Sequence, residues 1–258
     1  MRRRRIAIIG GGVSGVFVAA QLLKRRGGGA PDVVLIERGR RLGAGLAYGG
    51  ADRAHLLNVR ASNMSAFPDA PDDFAHWRGR RARGASPISF APRRLYGDYV
   101  ENVLARAARW AWGRLKWVRG EAIACQRAGA GWDIEIAGGK TVAADAVVLA
   151  MGNGPGVVPV VFETNGVPVF DAWSAEATRR IPQGGDVLML GAGLTMIDLA
   201  LTLTRDKRVG TIYALSRRGL VPRSHLTDAT PAPPEALALP SQLSEALHVF
   251  RREVRAIV

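Results

Sequence analysis

Two short glycine-rich segments constrain the fold of this chain more than any other feature of its sequence. Residues 10–15 read Gly-Gly-Gly-Val-Ser-Gly, and residues 191–196 read Gly-Ala-Gly-Leu-Thr-Met. Each segment follows a short apolar run and precedes a stretch whose apolar residues recur at helical spacing. A second apolar run comes next in both regions, which is the order of a parallel strand, helix and strand unit. The sequence therefore predicts an α/β fold with two Rossmann-type dinucleotide-binding units.

The first glycine segment satisfies the pattern G-x-G-x-x-G. In this pattern Gly10 permits the tight turn, Gly12 lets the backbone approach a pyrophosphate, and Gly15 lets the helix pack closely on the strand. The helix N-terminus offers amide groups and partial positive charge to the phosphates. Glu37 ends the second strand, where an acid accepts hydrogen bonds from ribose hydroxyls. Although glycine turns alone are common, strand, helix and acid in register predict a bound dinucleotide.

The second glycine segment is less complete. It keeps Gly191 and Gly193, and Thr195 opens its helix, but Met196 stands where the third glycine would fall. The larger residue predicts a slightly wider separation of helix and strand, since glycine is what permits the closest approach at this position.

The end of the second unit's second strand bears on the choice of nucleotide. Ser216, Arg217 and Arg218 stand there in place of an acid. Cations and a hydroxyl donor suit the 2′-phosphate of NADPH, which an acid would repel. The pattern favours NADPH over NADH; the alternative is that the two arginines are ordinary surface charge.

The remaining segments indicate how the two units are connected. We expect loops with short helices over 43–92, a helix over 96–112, and a final amphipathic helix over 242–254. Three apolar segments, 117–125, 132–136 and 141–150, predict a β-meander that closes onto the first sheet, with Gly138 and Gly139 in a hairpin turn.

Charge and cysteine content bear on partners and compartment. The formal net charge of +14 comes almost wholly from arginine, and such a charge can steer a protein to nucleic acid or an anionic membrane. The arginines are scattered along the sequence without interleaved aromatic residues, so we expect a small-molecule substrate and neither a nucleic-acid nor a membrane partner. Arg2–Arg5 before an apolar run imitates a secretory signal, but glycines interrupt that run. The single cysteine, Cys125, excludes an internal disulfide and indicates the cytoplasm.

Six segments together carry a resemblance to a known family. They are GGGVSG at 10–15, HLLNV at 55–59 with Met64, PRRLYG at 92–97, VVLAMGN at 147–153, GAGLTMID at 191–198 and SRRGLVPRSH at 216–225. With these segments the chain resembles, over nearly its whole length, the FAD/NAD(P)-binding proteins related to FAD-dependent urate hydroxylase, within the flavin monooxygenase group.

The resemblance assigns cofactors and residues. It implies an FAD-binding domain over 1–156, a linker over 157–183 and an NAD(P)H-binding domain over 184–258. The second domain is expected to be partial, because chains of this family continue well past the second glycine turn. It implies that the FAD pyrophosphate and ribose are held by Gly10, Gly12, Ser14, Gly15 and Glu37. Asn58 and Met64 are implied to lie near the flavin, although Asn58 could instead be a buried loop residue that satisfies backbone groups. Met151 stands where threonine is usual, and Gly152 still permits close approach to the pyrophosphate.

No catalytic residue and no metal site are predicted. Cys125 has no nearby second cysteine for a thiol-dependent reductase, and the histidines His55, His76, His225 and His248 are too scattered to form a site. Such silence is expected in a flavoenzyme, where the cofactor carries the hydride and oxygen chemistry. We expect an FAD-dependent NAD(P)H oxidoreductase in which NADPH reduces FAD, and we favour a flavin monooxygenase-like hydroxylase, with electron transfer to another acceptor left open. A non-catalytic, C-terminally shortened fragment and a nucleotide-binding regulatory module are the alternatives, and the oligomeric state stays open.

Overall fold

The structure is a computed structural model that describes residues 2–82, 84–154, 166–174, 177–224 and 240–257. The chain divides into two compact units, Met1–Val221 and Pro222–Val258. His225, a residue of the sixth resemblance segment, lies outside the described residues. Within the described part, no helix combines the length and apolar character needed to cross a membrane.

The first unit contains all the strands and six α-helices among its described residues. In chain order these are β1 (Arg5–Ile9), α1 (Val13–Lys24), β2 (Asp32–Glu37), α2 (Gly45–Gly49), a 3-10 turn (Ala61–Asn63), α3 (Asp73–Gly79), α4 (Arg93–Trp110), β3 (Leu115–Arg119), β4 (Ala122–Ala128), β5 (Gly131–Ile136), β6 (Lys140–Ala144), β7 (Ala146–Leu149), α5 (Ala177–Arg180), β8 (Gly185–Leu190), α6 (Leu194–Arg205) and β9 (Val209–Leu215). The described part of the second unit contains α7 (Leu243–Ile257), close to the predicted helix.

The main sheet has four parallel strands in the order β3-β2-β1-β7. Side chains of a strand alternate between its two faces, so each central strand buries residues on both sides. On one face Ile8 and Leu35 pack against α1 and α4, and on the other Ile9 and Ile36 pack against the meander. This arrangement confirms the predicted α/β fold of Rossmann type.

The three-segment meander predicted from the sequence is partly wrong. Its first and third segments each form two strands, because Gly120 (φ +158°) breaks the first and Asp145 interrupts the third. One strand from each, β3 and β7, joins the parallel sheet. The meander itself is β4-β5-β6, and its hairpin turn has positive φ at Gly138 and Gly139, as glycine there allows.

The helix predicted over 96–112 begins and ends earlier, at Arg93 and Trp110. Pro92 can precede a helix because the first helical positions need no internal amide bond. At the other end Trp112 and Gly113 both have positive φ, which is incompatible with continuing the helix.

Within the part of the chain that the structure describes, the second strand, helix and strand unit is covered on one face only. β8 and β9 are parallel, and Met189 packs with Leu203 of α6. On the opposite face Leu188 and Tyr213 are directly paired and both exposed. The element order of this unit, strand, helix and strand, matches the sequence prediction.

Candidate functional site

The first glycine turn joins β1 to α1 at the carboxyl end of the main sheet. Gly10 has φ +106°, and its amide donates a 2.9 Å hydrogen bond to the carbonyl of Ile36. A Cβ at Gly10 would overlap the carbonyl oxygen of Ala150, and a Cβ at Gly15 would overlap that of Gly10. Both positions therefore require glycine, for a tight turn and for close helix packing as the sequence predicts.

Gly12 differs from Gly10 and Gly15, the other two glycines of the motif, because open space lies beside it. A Cβ there would meet only the Cα of Gly45, at 3.8 Å. Gly12 caps α1 in an extended conformation, and no acidic residue stands in the first turn of this helix. The exposed Ser14 is in that same turn. Free amides, partial positive charge and open space beside a bare backbone are what a pyrophosphate needs, so these residues fit FAD.

Glu37 is held next to the turn by backbone groups. Its carboxylate oxygens accept hydrogen bonds from the amides of Gly11, at 2.6 Å, and Gly39, at 2.7 Å. An ionised carboxylate has about four acceptor positions, so acceptor capacity for ribose hydroxyls remains. Gly152 follows β7, whose continuation contacts Gly10 through Ala150. The fold thus brings Gly10, Gly12, Gly15, Glu37 and Gly152 to one edge of the sheet.

The second glycine turn repeats the first in its backbone. Gly191 has φ +113°, and its amide donates a 2.7 Å hydrogen bond to the carbonyl of Leu215. Gly193 caps α6 in the same extended conformation as the first cap, and again the first helical turn has no acid. No atom of the described residues lies within 4 Å of a Cβ built on Gly193. Thr195 occupies the position of Ser14, half-buried rather than exposed. These residues fit a second dinucleotide phosphate.

The predicted 2′-phosphate residues lie beside this second turn. Ser216 follows the last residue of β9, which accepts the Gly191 hydrogen bond, and its hydroxyl is 3.5 Å from the carbonyl of Leu220. Arg217 and Arg218 are exposed in the following turn. A phosphate at the carboxyl end of β9 would be within the general reach of these flexible side chains.

Asn58 and Met64 belong to the segment between α2 and α4, and backbone hydrogen bonds join this segment to the residues just before α4. Leu57 donates a 2.8 Å backbone hydrogen bond to Ala91, and Ala61 donates one of 3.1 Å to Ser89. Asn58 is exposed, so the buried alternative considered for it is wrong. Met64 is half-buried and packs on the core. Their nearness to a flavin stays a prediction.

A polar cluster connects this segment to α6 of the second glycine turn. Arg93 forms a 2.7 Å ion pair with Asp198, and both side chains are about nine-tenths buried (13% and 14% exposed). Arg93 also donates to the carbonyl of Leu56 at 2.9 Å. His55 Nδ1 accepts from the Asp52 amide, so Nε2 carries the proton and donates to the Asp198 carbonyl and the Thr202 hydroxyl. The hydrogen bonds of His55 thus join the Asp52 segment to α6.

A second ion pair in the same region joins Asp52 to Arg205 near the end of α6. One oxygen of the carboxylate lies 2.7 Å from the guanidinium. The hydrogen bond from Arg205 lowers the pKa of Asp52 to about 2, against an opposing effect of burial. Asp52 is therefore ionised throughout the physiological range, and this contact persists there.

Sequence reasoning missed this polar cluster. Its partners are separated by more than a hundred residues, and nothing in a single sequence pairs Arg93 with Asp198. One signal was available, because Asp198 is the only charged residue between Leu194 and Thr204 in an otherwise apolar helix. A lone charge in such a helix usually requires a partner. Among the described residues, no group of three or more His, Cys, Asp or Glu side chains is placed to hold a metal ion.

Solved structures share the architecture at low sequence identity. The chain is similar to a double mutant of the flavin monooxygenase from Stenotrophomonas maltophilia (20% identity, TM-score 0.58, covering 83% of this chain and 58% of that one). It is also similar to the bacillithiol disulfide reductase from Staphylococcus aureus (18%, 0.57, 99% and 65%). A third is S-allyl-L-cysteine S-oxygenase from Allium sativum (18%, 0.54, 90% and 54%). The chain spans less than two thirds of the length of each.

A family profile described as FAD-NAD(P)-binding matches residues 7–154, which include the first glycine turn, Glu37, Asn58 and Gly152. A comparison with curated proteins finds no match. The family match confirms the predicted cofactor classes, FAD and a nicotinamide dinucleotide, and agrees with the geometry of the first turn, which lies within the matched residues. Since the matched region is more than half of the 258 residues, the chain belongs to the FAD-NAD(P)-binding family.

Proposed function

We propose that this chain is an FAD-dependent NAD(P)H oxidoreductase in which NADPH reduces FAD. The observation that carries the proposal is the presence, in one compact unit, of two glycine turns with the same backbone conformation, each open beside its middle glycine. A protein with a single dinucleotide would need only one such turn. Two such turns would hold two dinucleotides, a redox cofactor and its reductant.

The residues divide between the two nucleotides. FAD would be held by the residues of the first turn and its surroundings, Gly10, Gly12, Ser14, Gly15, Glu37 and Gly152, with Asn58 and Met64 near the flavin. NADPH would be held by Gly191, Gly193, Thr195, Ser216, Arg217 and Arg218. The corresponding domains are 1–156 and 184–258, with 157–183 as the linker.

The chain itself supplies binding and orientation. When bound, the two cofactors provide hydride transfer from nicotinamide to flavin and then electron or oxygen transfer to a substrate. The N-termini of α1 and α6 would neutralise the pyrophosphates. Arg93 and Asp198 fix α6 against the segment that carries Asn58, so the second nucleotide site is anchored to the first.

Within this class we propose a flavin monooxygenase-like hydroxylase of a small molecule. The sequence resemblance to relatives of FAD-dependent urate hydroxylase supports this choice, and so do the oxygenase names of two of the three structural neighbours. A disulfide reductase similar to the third neighbour is less favoured, because Cys125 is the only cysteine of the sequence.

The test is spectroscopic and kinetic. Purified protein, reconstituted with FAD, should absorb near 450 nm and oxidise NADPH, and added candidate substrates should raise that rate and lower the yield of hydrogen peroxide. Oxidation without any substrate effect would support a plain reductase. Protein that binds both nucleotides but never oxidises NADPH would contradict the proposal and favour a regulatory nucleotide-binding module.

A further inference from the structure

The amino ends of the strands of the main sheet, opposite the glycine turn, are surrounded by a distinct set of exposed residues. All four parallel strands begin there, with Arg5 aligned to Asp32 and Val33 to Leu115. The residues exposed around this edge are mostly basic or tryptophan. We define the amino-end surface as Arg3, Arg4, Arg25, Arg26, Arg109, Trp110, Trp112 and Lys116, all of them exposed.

A buried arginine holds the segments of this surface together. Arg114, only 8% exposed, precedes β3. Its guanidinium donates hydrogen bonds of 2.6 to 3.2 Å to the backbone carbonyls of Leu23, Arg25, Pro31 and Ala111. These carbonyls belong to the end of α1, the start of β2 and the end of α4. Because Trp110 and Trp112 flank Ala111, the backbone that carries them is held next to the segment of Arg25 and Arg26.

The two tryptophans are displayed rather than packed. Trp112 is 91% exposed and Trp110 is 73% exposed. Trp112 also has φ +40°, in the left-handed region that a bulky side chain rarely adopts. Neither core packing nor local backbone preference accounts for a tryptophan at this position. An observed conformation of this kind is a reason to look for a function.

Positive charge surrounds the two rings. Within the described residues, no carboxylate forms an ion pair with Arg3, Arg25, Arg26 or Arg109. One acid at this edge, Asp145, is already paired with Arg2 at 2.6 Å. Arg3, Arg25, Arg26 and Arg109 therefore present positive charge that no ion pair within the described residues compensates, on the same surface as the exposed indole rings.

We propose that the amino-end surface binds anionic phospholipid bilayers. Tryptophan prefers the headgroup level of a bilayer, since its ring is apolar and its N–H polar. Basic residues beside it attract anionic headgroups, and stable peripheral binding requires two such signals together. Trp110, at the end of α4, and Trp112 are among the most exposed large apolar side chains of the described residues, whereas the rings that stack single-stranded nucleic acid line a groove.

This proposal departs from the sequence-based expectation of no membrane partner. That expectation treated the arginines as scattered, and the fold gathers a group of them at one edge. The glycine turns lie at the other end of the same strands, so a docked bilayer leaves them accessible. The inference does not depend on the proposed redox function.

Vesicle binding by the full chain tests the charge requirement. We expect sedimentation with vesicles of equimolar phosphatidylcholine and phosphatidylglycerol, and none with phosphatidylcholine alone. Replacing Arg25, Arg26 and Arg109 by glutamine should weaken this binding about a hundredfold, at about tenfold or less per charge near the surface. The control replaces three exposed bases elsewhere, Arg40, Arg80 and Lys140, by glutamine and should weaken binding only slightly.

The tryptophan requirement is tested separately. Trp112→Gly should lower vesicle affinity about tenfold and leave the melting temperature unchanged or higher, because glycine relieves the positive φ. Trp173→Gly, at another exposed tryptophan, should leave vesicle affinity unchanged. Brominated lipids should quench the fluorescence of the parent chain and much less that of a Trp110→Ala, Trp112→Gly pair.

Three results would each overturn the proposal. The first is equal binding to neutral and anionic vesicles, and the second is vesicle binding that survives in both the arginine and tryptophan variants. The third is tighter binding to a single-stranded oligonucleotide than to vesicles, lost in the same variants, which would assign the amino-end surface to nucleic acid.

Discussion

The two glycine turns have nearly the same backbone but very different surroundings. Their first glycines have φ values of +106° and +113°, and each donates an amide hydrogen bond to the end of the neighbouring strand. β1 lies between β2 and β7 with the meander over one face. Among the described strands, β8 pairs with β9 alone, and one face of this pair is exposed.

This difference shows which properties of a turn come from its own sequence motif and which come from the strands packed around it. The turn conformation follows from the strand-to-helix geometry and is the same in both places. Close contacts follow from the neighbouring strands: a Cβ at Gly10 would overlap Ala150, whereas no described residue lies within 4 Å of one at Gly191. The first turn therefore needs glycine for stability as well as for its ligand, and the second needs it mainly for backbone conformation and ligand.

Exchanging the residues at the third glycine position of the motif, Gly15 and Met196, should have the largest effect. Gly15→Met introduces a Cβ that overlaps the carbonyl of Gly10, so we expect a loss of at least about 3 kcal/mol in unfolding free energy, together with loss of FAD. Met196→Gly removes a half-buried side chain and adds helix-breaking glycine, at about 2–3 kcal/mol. Urea unfolding of both variants makes the comparison. A Gly15→Met chain as stable as the parent would show that the two turns are packed alike.

Alanine at the first glycine of each turn sharpens the same contrast. Gly191→Ala should cost about 1–2 kcal/mol, from the positive φ alone. Gly10→Ala adds the overlap with Ala150 to a similar backbone term, and we expect about 3 kcal/mol. The two free energies of unfolding should thus differ by more than about 1 kcal/mol. Equal losses of unfolding free energy would mean that backbone strain, and not steric overlap with neighbouring residues, determines the cost at both positions.

The nucleotide preference of the second turn depends on its arginines. Losing the charge-assisted hydrogen bonds to a phosphate should cost roughly 1.5–3 kcal/mol, or about one to two decades in Kd. We therefore expect Arg217→Ala combined with Arg218→Ala to weaken NADPH binding by that amount and leave NADH binding unchanged. Calorimetric titration with both nucleotides is the measurement. Unchanged NADPH affinity would identify these arginines as surface charge.

The smallest expected effect concerns acid and the attachment of α6. The pKa of Asp52 is depressed to about 2 from 3.8. Stability from its pairing with Arg205 is complete above about pH 4 and is lost as the pH falls through about 2. Asp52→Asn should therefore reduce the drop in melting temperature between pH 5 and pH 2 by a few degrees at most, because the partner is exposed and screened. Asp69→Asn, in an exposed pair with Lys24, is the control; an identical change there would remove any special role for Asp52.

Sequence periodicity predicted both strand, helix and strand units because each is a local pattern. It also located the hairpin glycines and the acid at Glu37, which depend on residues close in the chain. The division of residues 117–125 between two sheets could not be predicted, since the need for glycine at position 120, where a Cβ would overlap the Ile136 side chain, depends on how the meander packs. The ion pair of Arg93 with Asp198 was equally inaccessible, because only the folded chain brings the two together.

The clustering of basic residues and tryptophans at the amino-end surface has the same cause. Arg25, Arg109 and Trp112 come from different segments of the sequence, which Arg114 joins through backbone carbonyls. Linear spacing made these charges look dispersed. The folded structure, and not the amino-acid composition, shows that these basic residues share one surface.

The central claim, that the two turns bind different nucleotides, is tested most directly by valine at the middle glycine of each. The space beside Gly12 and Gly193 is open, so both variants should fold with melting temperatures near that of the parent. Gly12→Val should purify without FAD and still bind NADPH in a calorimetric titration. Gly193→Val should retain FAD and lose NADPH binding. A Gly12→Val chain as yellow as the parent, or a Gly193→Val chain with unchanged NADPH affinity, would contradict the account.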